Sequence, residues 1–180
     1  MHVAITIWAI ISSWQWWDRE NFHKCHTTIL YMSLMNLLYM FLTGGYILWK
    51  IQPDLGLPFP IVSMLYTFII FPCTVILYLS RYPKSVKNQV LHNMKWITIY
   101  MGLEWLGSLC SRIIYDHGWN LGWSFLFVLT MFPMLRLHYK RPLLAYLLSI
   151  IFIAFLLYKF EVPWKVTMEN RLFIGGIVSV

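Results

Sequence analysis

At 180 residues, 59% hydrophobic and only 12% charged, the chain is too poor in charge for an ordinary soluble domain, which carries about a quarter. Its net charge of +7 does not mark a nucleic-acid binder, because the basic residues gather at the ends of apolar runs long enough to span a bilayer core. What remains is an all-α integral membrane protein. The expected fold is one compact domain of six transmembrane helices, or five if the first lies in the interface, with both termini outside.

The first segment, 2–17, reaches about 24 Å as a helix, short of a hydrocarbon core of about 30 Å. Trp14, Trp16 and Trp17 fall where an interfacial aromatic belt sits. The stretch lacks the basic start and small-residue cleavage site of a secretory signal, so it reads as a retained, thin-spanning helix. "FHKCH" follows, with His23, Cys25 and His26 as candidate metal ligands. No second spaced pair completes a site, so no metal is expected there.

The second segment, 27–49, carries Ser33, Asn36, Met40 and Thr43 at helical spacing. The third, 60–80, contains Pro72, and the fifth, 119–137, contains Pro133. Each proline removes a backbone donor, and Thr67, Thr74 and Thr130 are candidates to satisfy the freed carbonyls. The sixth segment is 143–160, and a tail, 161–180, follows.

The fourth segment, 96–115, holds Glu104 near its centre and Arg112 about 12 Å further along the axis. They are too far apart to pair. Arg112 reaches the outer interface and meets Asp54, Asp116 or Glu161 there. Glu104 is expected near the midplane, neutral, and donating to Asn36, because burial disfavours a carboxylate. Tyr100, Glu104, Gly107, Ser108, Ser111 and Tyr115 form one stripe, which is expected to face the stripe of segment two. Glu104, Asn36, Arg112, Ser108 and Tyr100 are then either helix-packing glue or a proton- or solute-binding site.

Topology follows from Lys and Arg. Arg19, Lys24, Arg81, Lys84, Lys87, Lys95, Arg136, Lys140 and Arg141 share one side, which should be cytoplasmic. Within "HYKRPLLAY" and just before it, Arg136, Lys140 and Arg141 are lipid head-group candidates as well as a topogenic stop. The chain has no nucleophile elbow, phosphate loop, zincin helix or Cys-x-x-Cys motif, and no cofactor is expected.

"GWNLGWSFLFVLTMFPMLRLHYKRPLLA", "ILYMSLMNLLYMFLTGGYILW" and "FPCTVILYLSRYP" resemble a family of small multi-pass proteins of Bacillus and Clostridium relatives. The resemblance implies a Gram-positive plasma membrane and supports the segment count, but implies no activity. Three classes of function remain. One is a small transport or solute-binding subunit centred on Glu104. Another is a structural or regulatory membrane protein, and the last is a lipid-acting enzyme in which His23, His92 and His138 converge. Membrane lipids, other membrane subunits or a second copy are the expected partners, and nucleic acid is not.

Overall fold

The computed structural model describes residues 2–16, 22–53 and 56–165, apart from the side chains of 22–24. The chain is mostly helical. In order it forms α1 (His2–Trp16), α2 (Phe22–Thr43), β1 (Trp49–Ile51), α3 (Phe59–Ser80), α4 (Val86–Leu109), β2 (Ile113–Tyr115), α5 (Leu121–Lys140) and α6 (Pro142–Lys159). Among the described residues, four stretches are long and apolar enough to cross a membrane: Cys25–Thr43, Phe59–Ser80, Leu121–Lys140 and Pro142–Lys159. The other two helices fall short for different reasons. α1 has only 15 residues, whereas α4 has 24 but begins with the polar run Lys87, Asn88, Gln89, His92, Asn93 and Lys95.

Helix α4 starts earlier and ends earlier than its apolar stretch suggests. Ser85 caps it, accepting from the Asn88 amide at 3.4 Å, which satisfies one of the free donors of a helix start. At the other end Ser111 adopts φ 55°. The Arg112 N–H reaches the Gly107 carbonyl at 2.8 Å and the Ser111 N–H reaches that of Ser108 at 3.0 Å. This is a Schellman ending with serine in the left-handed position. It explains why the helix stops short of Tyr115 and why Ser111 is not on the Gly107 stripe. The chain after it is extended, and β2 pairs antiparallel with β1, Trp49 opposite Tyr115 and Ile51 opposite Ile113. The expectation of an entirely helical chain missed this small ribbon, whose strands are only three residues long.

Helix α2 packs on α3 and α5, α4 on α5, α5 on α6, and α1 on α3. The main core gathers Tyr31, Val75, Tyr78, Ile97, Phe132 and Leu135 from four helices. A second, smaller cluster of Leu48, Phe160 and Val162, flanked by Trp119 and Trp123, lies at the ribbon end of the molecule. His2 is also at that end, with Nε2 2.7 Å from the Gln52 carbonyl.

Pro72 shapes α3. Residues Tyr66–Ile70 form a π turn, closed by the Phe71 N–H donating to the Tyr66 carbonyl. The next acceptor in that register is the Thr67 carbonyl, and its donor would be the N–H that Pro72 lacks. The Ser33 hydroxyl of α2 fills the vacancy at 2.9 Å. Thr67 itself donates to the Ser63 carbonyl at 2.8 Å and accepts from Asn36 Nδ2 at 2.7 Å. The donor for the freed carbonyl therefore comes from the neighbouring helix, not from the threonines inside α3. In α5, Thr130 donates to the Phe127 carbonyl.

Ser33→Ala should lower stability in detergent by about 1 kcal/mol, the usual cost of a lost hydrogen bond. The same change in a Pro72→Ala background should cost less, because the new N–H can serve Thr67. Equal losses in both backgrounds, measured by thermal unfolding, would disprove the link.

Candidate functional site

Directly opposed residues in an antiparallel pair point to the same face. Trp49 and Tyr115 are such a pair, and their polar tips converge on one atom. The Trp49 indole N–H donates to Glu104 Oε1 at 3.1 Å, and the Tyr115 hydroxyl donates to the same oxygen at 2.9 Å. Glu104 is 9% exposed. Burial, and then the Glu104 charge beside it, hold the Tyr115 phenol well above the ordinary tyrosine range, so Tyr115 stays a donor at any physiological pH. The carboxyl group is thus an acceptor for two strands at once.

This differs from the expected environment of Glu104 in two ways. The residue sits about 10 Å beyond the midpoint of α4, near the ribbon, because the helix spans Val86–Leu109. Asn36 is not its partner, because α2 packs on α3 and α5 and the Asn36 amide donates to Thr67. The two polar stripes do not face each other. Tyr100 turns to α3 and donates to Thr74 Oγ1 at 2.7 Å. Ser108 contributes its carbonyl to the end of α4. Arg112 donates through Nη1 to the Pro53 carbonyl at 3.1 Å, and its own carbonyl accepts from Gln52. It therefore staples the two connections together through backbone. Asp54 lies outside the described residues, and Asp116 is 3.9 Å from His117.

A partly open cavity of about 150 Å³ lies beside this network, between α2, β1 and the first half of α3. Its polar wall comes from Asn36, Tyr39, Ser63 and Tyr66, and its apolar wall from Met40, Phe59 and Phe71. Among the described residues no Asp, Glu, Lys, Arg or His lines it. Trp49 belongs to both features, lining the cavity while its indole N–H is held by Glu104. The Tyr39 hydroxyl secures the same residue's backbone, accepting from Trp49 N–H at 3.0 Å and donating to its carbonyl at 3.1 Å. His2 stands behind the far wall, with Nδ1 3.1 Å from the Tyr66 hydroxyl. Of the residues chosen from sequence, Asn36 lines the cavity and Glu104 supports it from behind. Trp49, Tyr39, Tyr66 and His2 were missed. Their only signal in the sequence is that aromatic side chains with a polar tip favour half-wet sites.

At the opposite end, His92 and His138 have different partners. His92 Nε2 lies 3.0 Å from the Tyr78 carbonyl, whereas His138 stacks on Tyr31 and sits 3.1 Å from Thr28. The side chain of His23 is outside the described residues. Cys25 is buried and His26 exposed. Among the described residues no three His, Cys, Asp or Glu side chains are grouped to hold a metal. No family model, curated protein or solved structure matches the chain.

Glu104→Gln keeps an acceptor oxygen and should leave thermal stability in detergent within about 1 kcal/mol of the parent. Glu104→Leu leaves the Trp49 and Tyr115 donors unsatisfied and should cost about 2 kcal/mol or more. A leucine variant as stable as the glutamine variant would remove Glu104 from this role.

Proposed function

We propose that the protein is a multi-pass membrane protein that binds a small uncharged solute in the cavity between α2, β1 and α3, as a transport or solute-binding subunit. The observation that carries this reading is the cavity itself. It is mostly apolar, it has an amide and two phenols on its walls, and among the described residues no ionisable carboxyl or amine faces it. Binding sites for small molecules combine apolar walls with a few placed polar groups in this way. A space of about 150 Å³ suits a molecule the size of benzene. Absence of charge on the walls favours neutral occupants, since an ion there would lose its hydration without a partner. Glu104 is a positioning residue in this reading, holding Trp49 as one wall.

The proposed setting is the plasma membrane of a Gram-positive bacterium. Arg81, Lys84, Lys87, Lys95, Arg136, Lys140 and Arg141 stand at one end of the helices and the ribbon at the other, so the positive-inside rule puts the ribbon, the start of α1 and the end of α6 outside. The cavity would then open toward the external side. The chemistry favours this reading over a lipid-acting enzyme, because His92 and His138 serve different neighbours.

Phenol and cyclohexanol serve as neutral probes, and benzoate and benzylamine as charged ones. The neutral pair should raise the unfolding temperature of the purified protein, and the charged pair should not. Ser63→Leu, which fills the space, should abolish the shift. Stabilisation by the charged probes, or an undiminished shift in the Ser63→Leu variant, would refute a neutral-solute site.

Cys25 is buried and cannot report sidedness. In a Cys110→Ser background, an impermeant thiol reagent added to intact cells should label Asp116→Cys and miss Lys87→Cys. The reverse pattern would invert the topology.

A further inference from the structure

We propose that Arg136 is the seat of a phosphate-bearing lipid head group, a site separate from the solute cavity and independent of it. The guanidinium lies against two tyrosine rings, 4.3 Å from the Tyr82 centroid and 5.2 Å from that of Tyr139. Neither ring can accept its N–H groups as a carboxylate would. Nε is buried with no hydrogen-bond partner, and no described carboxylate pairs with the side chain. A guanidinium has five donors in a fixed fork; among the described residues the buried Nε–H is left without a partner, which is costly, and the Nη groups at the open end of the fork are free to meet a ligand. A phosphate oxygen pair satisfies the fork in a bidentate manner.

The cradle is built before any ligand arrives. Asn93 Nδ2 donates to the Tyr82 hydroxyl at 3.4 Å, and Asn93 Oδ1 accepts from Tyr78 at 2.6 Å. The Tyr82 ring meets the edges of Tyr78 and His92 at 5.4 and 5.3 Å. Tyr139 follows Arg136 by three residues and so shares its face of α5. Lys140 and Arg141 are exposed at the end of the same helix, where they draw anions in without fixing their geometry.

A lipid is the source favoured over free phosphate because of depth. Arg136 lies one turn from the end of a 20-residue apolar helix, the level at which head groups meet a membrane span. Tyr82 and Tyr139 are the residue type that gathers at that level. Anionic lipids add attraction at a basic cytoplasmic surface.

The test is native mass spectrometry of the full chain, delipidated in a neutral detergent and titrated with phosphatidylglycerol or phosphatidylcholine. The parent should retain one phosphatidylglycerol in preference to phosphatidylcholine. Arg136→Gln should weaken that retention about tenfold, and Arg136→Lys, which keeps the charge but loses the fork, should also weaken it. The joint Lys140→Gln and Arg141→Gln change should weaken it less. If Arg136→Gln fails to fold, the lysine variant and Tyr82→Leu carry the test. Equal retention of both lipids, or retention unchanged by Arg136→Lys and Tyr82→Leu, would overturn the proposal. Inorganic phosphate displacing the lipid at equal concentration would overturn the lipid source and leave a soluble-anion site.

Discussion

Glu104 Oε1 receives a donor from each of two strands that are more than sixty residues apart in the chain. Those strands are very short, and a three-residue pair has little stability of its own in water. What holds them is convergence. Trp49 and Tyr115 stand opposite each other, the buried carboxyl group below accepts from both, and Arg112 ties the far side to Pro53. Removing the acceptor leaves two half-buried donors without this partner, so the cost falls on the ribbon as a whole. The wall of the cavity formed by Trp49 depends on that arrangement.

The interior of the bundle follows a second constraint of the same kind. In an apolar setting every backbone group needs an internal partner. Pro72 breaks that rule for α3, and Ser33 on α2 restores it through the Thr67 carbonyl. The π turn and the adjacent Asn36–Thr67 bond then put an amide at the cavity edge. Backbone repair and the polar wall of the cavity come from one cluster of residues. Glu104 at one wall and the π turn at the other fix the shape of the space between them.

Much of the helical layout was legible in the sequence, because apolar runs bounded by charge have a length set by the membrane. The third, fifth and sixth segments fall within a few residues of α3, α5 and α6. The second and fourth were carried too far, to Trp49 and Tyr115. Both residues are apolar enough to extend a span, yet each begins or ends a strand. Nothing in a period of 3.6 distinguishes those uses, and a serine in the left-handed position at residue 111 gives no signal that a glycine would have given. Asn36 and Glu104 stand out in the sequence as costly polar groups. Their pairing was wrong, because depth along a helix was judged from misplaced ends, and which helices are neighbours is a tertiary fact. Trp49, Tyr39 and His2 were not legible, since each matters through a partner distant in sequence.

The indole N–H of Trp49 reports the central interaction most directly. Its exchange with solvent can be followed by nuclear magnetic resonance in detergent, with Trp49→Phe to assign the signal. The structure requires a slowly exchanging indole proton that is retained in Glu104→Gln and becomes fast in Glu104→Leu. A Trp49 indole proton that exchanges freely in the parent, or stays protected without the Glu104 acceptor, would contradict the account.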